Sequence, residues 1–125
     1  MRQELDDLLC QLYPEIFRDR HKDKYETSMC WGFCCDDGWF DIIDSLCATI
    51  TAQVKAGKMP PVVASQVKEK IGTLRFRILG GNDETHRLIE LARQKSEVTC
   101  EECGRPVERR IIEAGSILCS ACSDK

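Results

Sequence analysis

Two CxxC pairs, Cys100-Glu101-Glu102-Cys103 and Cys119-Ser120-Ala121-Cys122, stand 15 residues apart near the C-terminus of this 125-residue chain. A zinc ion takes four soft thiolates in tetrahedral geometry, about 2.3 Å from each sulfur. Two residues between cysteines let one tight knuckle present both sulfurs, and Gly104, directly after Cys103, supplies the permissive backbone such a knuckle needs. Between the pairs, Val107 to Ile112 reads as a short strand and Glu113-Ala114-Gly115-Ser116 as a turn, which returns the second pair to the first. The spacing predicts one structural Zn²⁺ on Cys100, Cys103, Cys119 and Cys122, in a zinc-ribbon or treble-clef-like element of paired knuckles. A redox CxxC is the competing reading, and two facing pairs at this spacing favour metal. With every ligand from protein the site is closed, so metal binding serves folding and leaves no position for a substrate.

The chain holds nine cysteines, an odd number. Its start, Met1-Arg2-Gln3-Glu4-Leu5-Asp6-Asp7, is acidic and lacks the apolar core of a secretion signal. A disulfide framework is therefore the poorer reading, and a reducing cytoplasm the expected home. No apolar run approaches the roughly 20 residues that span a bilayer. A second metal group drawn from Cys30, Cys34, Cys35, Cys47 and His21 is the sharper reading of the other thiols; simple burial is the plainer one. Formal net charge is −3, and four thiolates around a dication make the loaded protein more negative still. Nucleic-acid contact then has to come from a local patch, and an acidic chain more naturally meets a basic protein surface.

Periodicity divides the rest. Leu5, Leu8, Leu9 and Leu12 share a helical spacing that predicts one buried face, ended near Pro14, with Ile16 and Phe17 packed on the core. Arg18 to Lys24 reads as a solvated connection. Cys30 to Trp39 holds both tryptophans and is expected to turn inward. Asp36 or Asp37 then caps a helix from about Gly38 to Lys55, stopped by Gly57 and Pro60-Pro61. Val62 to Lys70 and Thr73 to Leu79 read as strands joined at Ile71-Gly72, since Leu74, Phe76 and Ile78 alternate with Arg75 and Arg77. Gly80-Gly81-Asn82-Asp83 leads into a helix to about Glu97 that buries Leu88, Ile89, Leu91 and Ala92. The expected architecture is α+β: a helical and β-hairpin body over 1–97, with a four-cysteine zinc finger over 98–125 packed on it.

Two surfaces are candidates for contact. Asp37, Asp41 and Asp44 fall at i, i+4 and i+7, an acidic stripe that joins Trp31, Phe33 and Trp39 as a docking face for a basic protein. The same carboxylates in a metal-dependent hydrolase are a remote alternative, because no nucleophile or base accompanies them. Lys68, Lys70, Arg75 and Arg77 can share one hairpin face, extended by Arg105, Arg109 and Arg110, enough to touch about two or three phosphates. The plain reading of that face is the polar side of a half-buried hairpin.

The segment Cys100 to Val107 with Arg109-Arg110 and Leu118 to Cys122 resembles the C-terminal zinc finger of the DksA/TraR family of RNA-polymerase-binding regulators. That family's long coiled-coil hairpin has no counterpart here, where Pro14, the Trp-Gly-rich loop and the hairpin take its place. Asp37 to Asp44, Gln66 to Phe76 and the CxxCG knuckle together are similar to a group of small phage and prophage proteins. That resemblance implies a phage origin, hence host cytoplasm, and by analogy a non-catalytic accessory protein that binds a host protein and inhibits or redirects it, as anti-CRISPR proteins do. The alternative is a zinc-finger nucleic-acid-binding or transcription-regulatory protein.

Overall fold

The computed structural model describes residues 1–24, 27–107, 112–113 and 116–123. The fold is α+β. Among the described residues four helices, α1 (Gln3–Leu12), α2 (Phe40–Lys55), α3 (Asp83–Ser96) and the single turn α4 (Ser120–Ser123), accompany five strands, β1 (Phe33–Cys34), β2 (Val62–Lys70), β3 (Thr73–Gly80), β4 (Ile112–Glu113) and β5 (Ser116–Ile117). The main sheet has the order β1-β2-β3, with β1 parallel to β2 and β3 antiparallel to it. Among the described residues no helix is long and apolar enough to cross a membrane.

The hairpin follows its alternation. Val67 pairs with Phe76 and faces the core, while Lys68 pairs with Arg75 on the opposite face, as a two-residue side-chain period requires. Its connection is Ile71-Gly72, with φ of 50° and 76°, the left-handed pair that matches strand twist in a type I′ turn. The Glu69 carboxylate accepts the Gly72 N–H at 3.0 Å. The strand β1 has no periodic signal of its own. It is two residues of the tryptophan-rich loop that align Phe33 with Val67 and Cys34 with Lys68.

Helix α2 carries the core stripe Ile42, Ile43, Leu46, Cys47 and Ile50, all buried. It ends where Gly57 takes φ 74°: Gly57 N–H donates to Val54 O, and Lys58 N–H to Gln53 O, the paired bonds of a Schellman stop. Helix α3 opens with a capping box, Asn82 accepting from Thr85 N–H while the Thr85 side chain accepts from Asn82 N–H. Trp39, Ile43, Ile50, Val67 and Leu74 are all but sealed from water, each contributing about 1.5–3 kcal/mol by burial.

Several expectations are corrected. The leucines of α1 do not share a buried face: Leu9 is sealed, but Leu8 and Leu12 are exposed. The buried neighbour is Asp6, which receives the Arg20 guanidinium at 3.0 Å on both carboxylate oxygens. Arg20 also donates to Cys30 O at 3.0 Å. The segment Arg18 to Lys24 is therefore not wholly solvated, since Asp19 is buried and Arg20 mostly so. Leu91 on α3 is exposed, whereas Ala92 is buried. Asp36 does not cap α2 through its side chain; residues Asp37–Trp39 form a 3₁₀ turn before the helix. The tryptophan-rich loop turns inward only in part, with Phe33 and Trp39 buried and Trp31 exposed.

Candidate metal centre and its surroundings

The first pair of cysteines sits on a knuckle closed by its own backbone. Cys100 N–H donates to Arg105 O at 2.8 Å and Gly104 N–H to Cys100 O at 2.9 Å, with Gly104 at φ 82°. Thr99 and Pro106 bridge at its base, and Val107 N–H donates to Val98 O at 2.7 Å. The β4-β5 ladder, Ile112 against Ile117 and Glu113 against Ser116, then brings the chain back. Glu101 N–H donates to Ile117 O at 2.8 Å, tying the returning strand to the knuckle.

The second pair differs from expectation. Cys119 precedes α4 and Cys122 lies within it, with Ser123 N–H donating to Cys119 O at 2.9 Å. This pair is thus carried by a helical turn and not by a second knuckle. The order of parts, knuckle, hairpin and helical turn, favours the treble-clef-like alternative over the ribbon. Glu108 to Ile111, Ala114 and Gly115 lie outside the described residues, so the strand expected from Val107 to Ile112 is described only at its ends.

The four thiols converge. Their sulfurs all lie within 4.8 Å of one another, and Cys103 Sγ is 3.6 Å from Cys119 Sγ. Four sulfurs each about 2.3 Å from a central ion sit about 3.8 Å apart at tetrahedral angles, so the cluster fits a metal ion. Cys100, Cys119 and Cys122 are buried and Cys103 is exposed. The backbone N–H of Cys122 pulls the Cys119 thiol down to about 7, while burial pushes Cys122 up to about 12. Cys103 is raised, burial and the neighbouring thiols outweighing the Arg105 backbone bond. One thiol is thus poised to ionise at neutral pH, while the raised Cys103 and Cys122 give up their protons to an incoming cation.

Among the described residues, no other group of histidine, cysteine and carboxylate atoms converges in this way. The thiols of Cys35 and Cys47 are buried and that of Cys34 exposed. Burial pushes Cys35 up to about 12 and raises Cys47 in the same sense, which keeps both as inert thiols. The second metal group is therefore not assembled, and His21 is solvent-exposed.

Residues far upstream hold the knuckle in place, and these are what sequence reasoning missed. Gly38 N–H donates to Glu101 O at 2.7 Å. Asp36 N–H donates to Glu101 Oε2 at 3.0 Å, and the buried Trp39 Nε1–H to Thr99 O at 3.1 Å. A Cβ on Gly38 would lie 2.2 Å from Cys100 O and 2.4 Å from Glu101 O. The absent side chain is what admits the knuckle. The one trace in the sequence is a glycine beside a tryptophan at a helix start, where a better helix former is ordinarily found.

The candidate contact residues are distributed unevenly. Asp37 accepts the Arg2 guanidinium at 3.0 Å, and the Tyr13 hydroxyl donates to Asp44 at 2.5 Å. Asp41 is exposed and lines a cleft of about 300 Å³ with Gly38, Lys95 and Gly104. The three carboxylates therefore have separate neighbours. Of the aromatics named with them only Trp31 is open to solvent, at 65%. On the hairpin, Lys68–Arg75 pairing and Gln66–Arg77 pairing place Lys68, Lys70, Arg75 and Arg77 on one outward face. Among the described residues none of these four takes part in an ion pair. Arg105 is exposed beside the knuckle; Arg109 and Arg110 lie outside the described residues. Compared with protein families, with curated proteins and with solved structures, the chain matches none of them.

Proposed function

We propose that this chain is a non-catalytic, zinc-stapled module that binds nucleic acid through the outer face of the β2-β3 hairpin. The observation that carries the reading is the set of four cations on that face, with no carboxylate paired to them among the described residues. In a chain of net charge −3 such a patch is a local exception to the global field, and phosphates are its natural complement. Glu69, the acid within β2, bonds the turn at Gly72 and does not cross to the lysines. The four-thiolate set supports zinc as the ion, because soft sulfur donors in a closed tetrahedral site suit it and hard cations prefer oxygen. Its work is structural: it holds the C-terminal segment on Gly38 and Trp39 and so completes the body that carries the hairpin.

The test is a gel or anisotropy titration of labelled DNA and RNA with the metal-loaded chain at two salt concentrations. Salt-sensitive binding that disappears in Arg75→Glu/Arg77→Glu supports the reading, and binding that survives the double substitution overturns it. A second reading, docking on a host protein to inhibit or redirect it, draws support from the exposed Leu8 and Leu12 of α1 and from Trp31. There the expected result is a nuclease-insensitive complex lost on Leu8→Asp/Leu12→Asp.

A further inference from the structure

We infer that Trp31 is a base-stacking platform at the margin of the cationic hairpin face, so that this surface selects single-stranded nucleic acid over duplex. The inference rests on the nucleic-acid reading above and adds to it the class of strand recognised. Trp31 closes the 3₁₀ turn Ser28–Trp31, which packs beside β2. Two residues later β1 runs parallel to β2 and aligns Cys34 with Lys68, whose partner on β3 is Arg75. Lateral partners in a sheet present their side chains to the same face, so the Cys34 thiol belongs to the cationic face. That thiol donates to Trp31 O at 3.6 Å, which ties the tryptophan backbone to the edge of the patch.

The indole itself is 65% exposed. A tryptophan this open brings little burial to the fold, yet it offers a π-face to any base. Stacking on aromatic rings beside a cationic track is how sequence-tolerant single-strand binders hold their ligand. In a duplex the bases are stacked on one another inside the helix, and an isolated surface indole meets only sugar and phosphate. Gly32, which follows Trp31, lies against the Asp6–Arg20 pair: a Cβ there would stand 2.8 Å from Arg20 Nη2. With Arg20 also bonded to Cys30 O, the backbone on both sides of the indole is pinned, a rigid mount for a stacking residue.

Of the two tryptophans in the chain, Trp39 is buried and emits as a constant background, so quenching on addition of a strand reports on Trp31. The experiment titrates the metal-loaded chain with a 12-mer of oligo-dT, a 12-mer of oligo-rU and a 12-base-pair duplex. Trp31 fluorescence and the anisotropy of end-labelled strands are both followed. Expected are quenching by a single strand, and a single-strand affinity that falls with salt at a log–log slope of about −1.4 to −2.1, for two or three phosphates. Trp31→Ala is expected to weaken single-strand binding about tenfold with duplex binding unchanged, and Trp31→Phe to restore most of the loss. Metal content and far-ultraviolet circular dichroism confirm that each variant is folded. The dT and rU arms identify which sugar is accepted, and quenching by either supports the inference. Duplex bound as tightly as single strand, or Trp31→Ala without effect while Arg75→Glu/Arg77→Glu abolishes binding, overturns the stacking role and leaves the hairpin reading standing. Absence of binding to all three strands removes both.

Discussion

Gly38 presents bare backbone to the carbonyls of Cys100 and Glu101, and its amide donates to Glu101 O. A methyl group at this position forces two backbone segments apart or severs that bond. Gly38→Ala is expected to cost about 3 kcal/mol, read as a lower melting temperature together with faster loss of the metal to a chelator. Ile71 poses the opposite case. A β-branched residue in the left-handed region is strained by about 1–2 kcal/mol, and Ile71 is exposed at φ 50°. Asparagine tolerates that conformation and forms the preferred Asn-Gly pair of a type I′ turn. Ile71→Asn should therefore raise stability by about 1 kcal/mol, a few degrees in the thermal midpoint. A midpoint that falls would refute the assignment of strain.

At the scale of elements, the Asp6–Arg20 pair joins α1 to the segment that leads into the tryptophan-rich loop. Both side chains are largely removed from solvent, and a buried charge left without its partner is costly. Arg20→Met alone is expected to destabilise by about 3 kcal/mol, whereas Asp6→Leu/Arg20→Met together should cost clearly less than the sum of the two single changes. Urea denaturation of the four proteins in the cycle measures the coupling, and simple additivity would sink the idea. The same pair shows where sequence reading stops. Alternation in Leu74, Arg75, Phe76 and Arg77 is a local signal, and the hairpin was legible from it to within a residue. The turn into α3 at Gly80–Asp83 and the α2 stop at Gly57 were legible for the same reason, since their chemistry lies within a few positions. The leucine spacing of α1 predicted the helix correctly and its buried face wrongly, because the charge compensating Asp6 stands 14 residues away. β1 escaped notice because two residues carry no period. The four metal-ligand candidates were legible through spacing alone. Their support on Asp36, Gly38 and Trp39 was not, because it is long-range backbone contact without any pattern.

For the whole molecule, the four-cysteine cluster fits a metal ion, and binding one is expected to complete the fold. Thiolates bind the ion and thiols do not, so each thiol still protonated at the working pH releases its proton on binding. Cys103 and Cys122 are raised and Cys119 sits near 7. Between pH 7 and 8 at least two protons, from Cys103 and Cys122, are displaced, and apparent affinity should rise at least about 100-fold per pH unit. Below about 7 Cys119 is protonated as well, and the slope should steepen by about one further factor of ten per unit. Competition with a chromophoric chelator across pH 6 to 8 measures this, and affinity independent of pH would exclude a thiolate site. Cys103→Ser should lower metal content and abolish the cooperative melt of the loaded protein, whereas Cys34→Ser, outside the cluster, should leave both unchanged.

The bond from Trp39 to Thr99 spans 60 residues of chain, which has a consequence for how the protein is made. On the ribosome Trp39 emerges long before the carbonyl that accepts its N–H exists, and at roughly 5–20 residues per second the wait is about 3–12 s. Until Thr99 has been made, the Trp39 indole N–H lacks this acceptor and the Gly38 amide lacks its partner at Glu101. Cys119 and Cys122 follow later still, so the four thiols that fit a metal ion come together only after this bond can form. In a cell short of such an ion, chains made past Cys122 are expected to persist with this cluster still open and the segment it fastens unsecured.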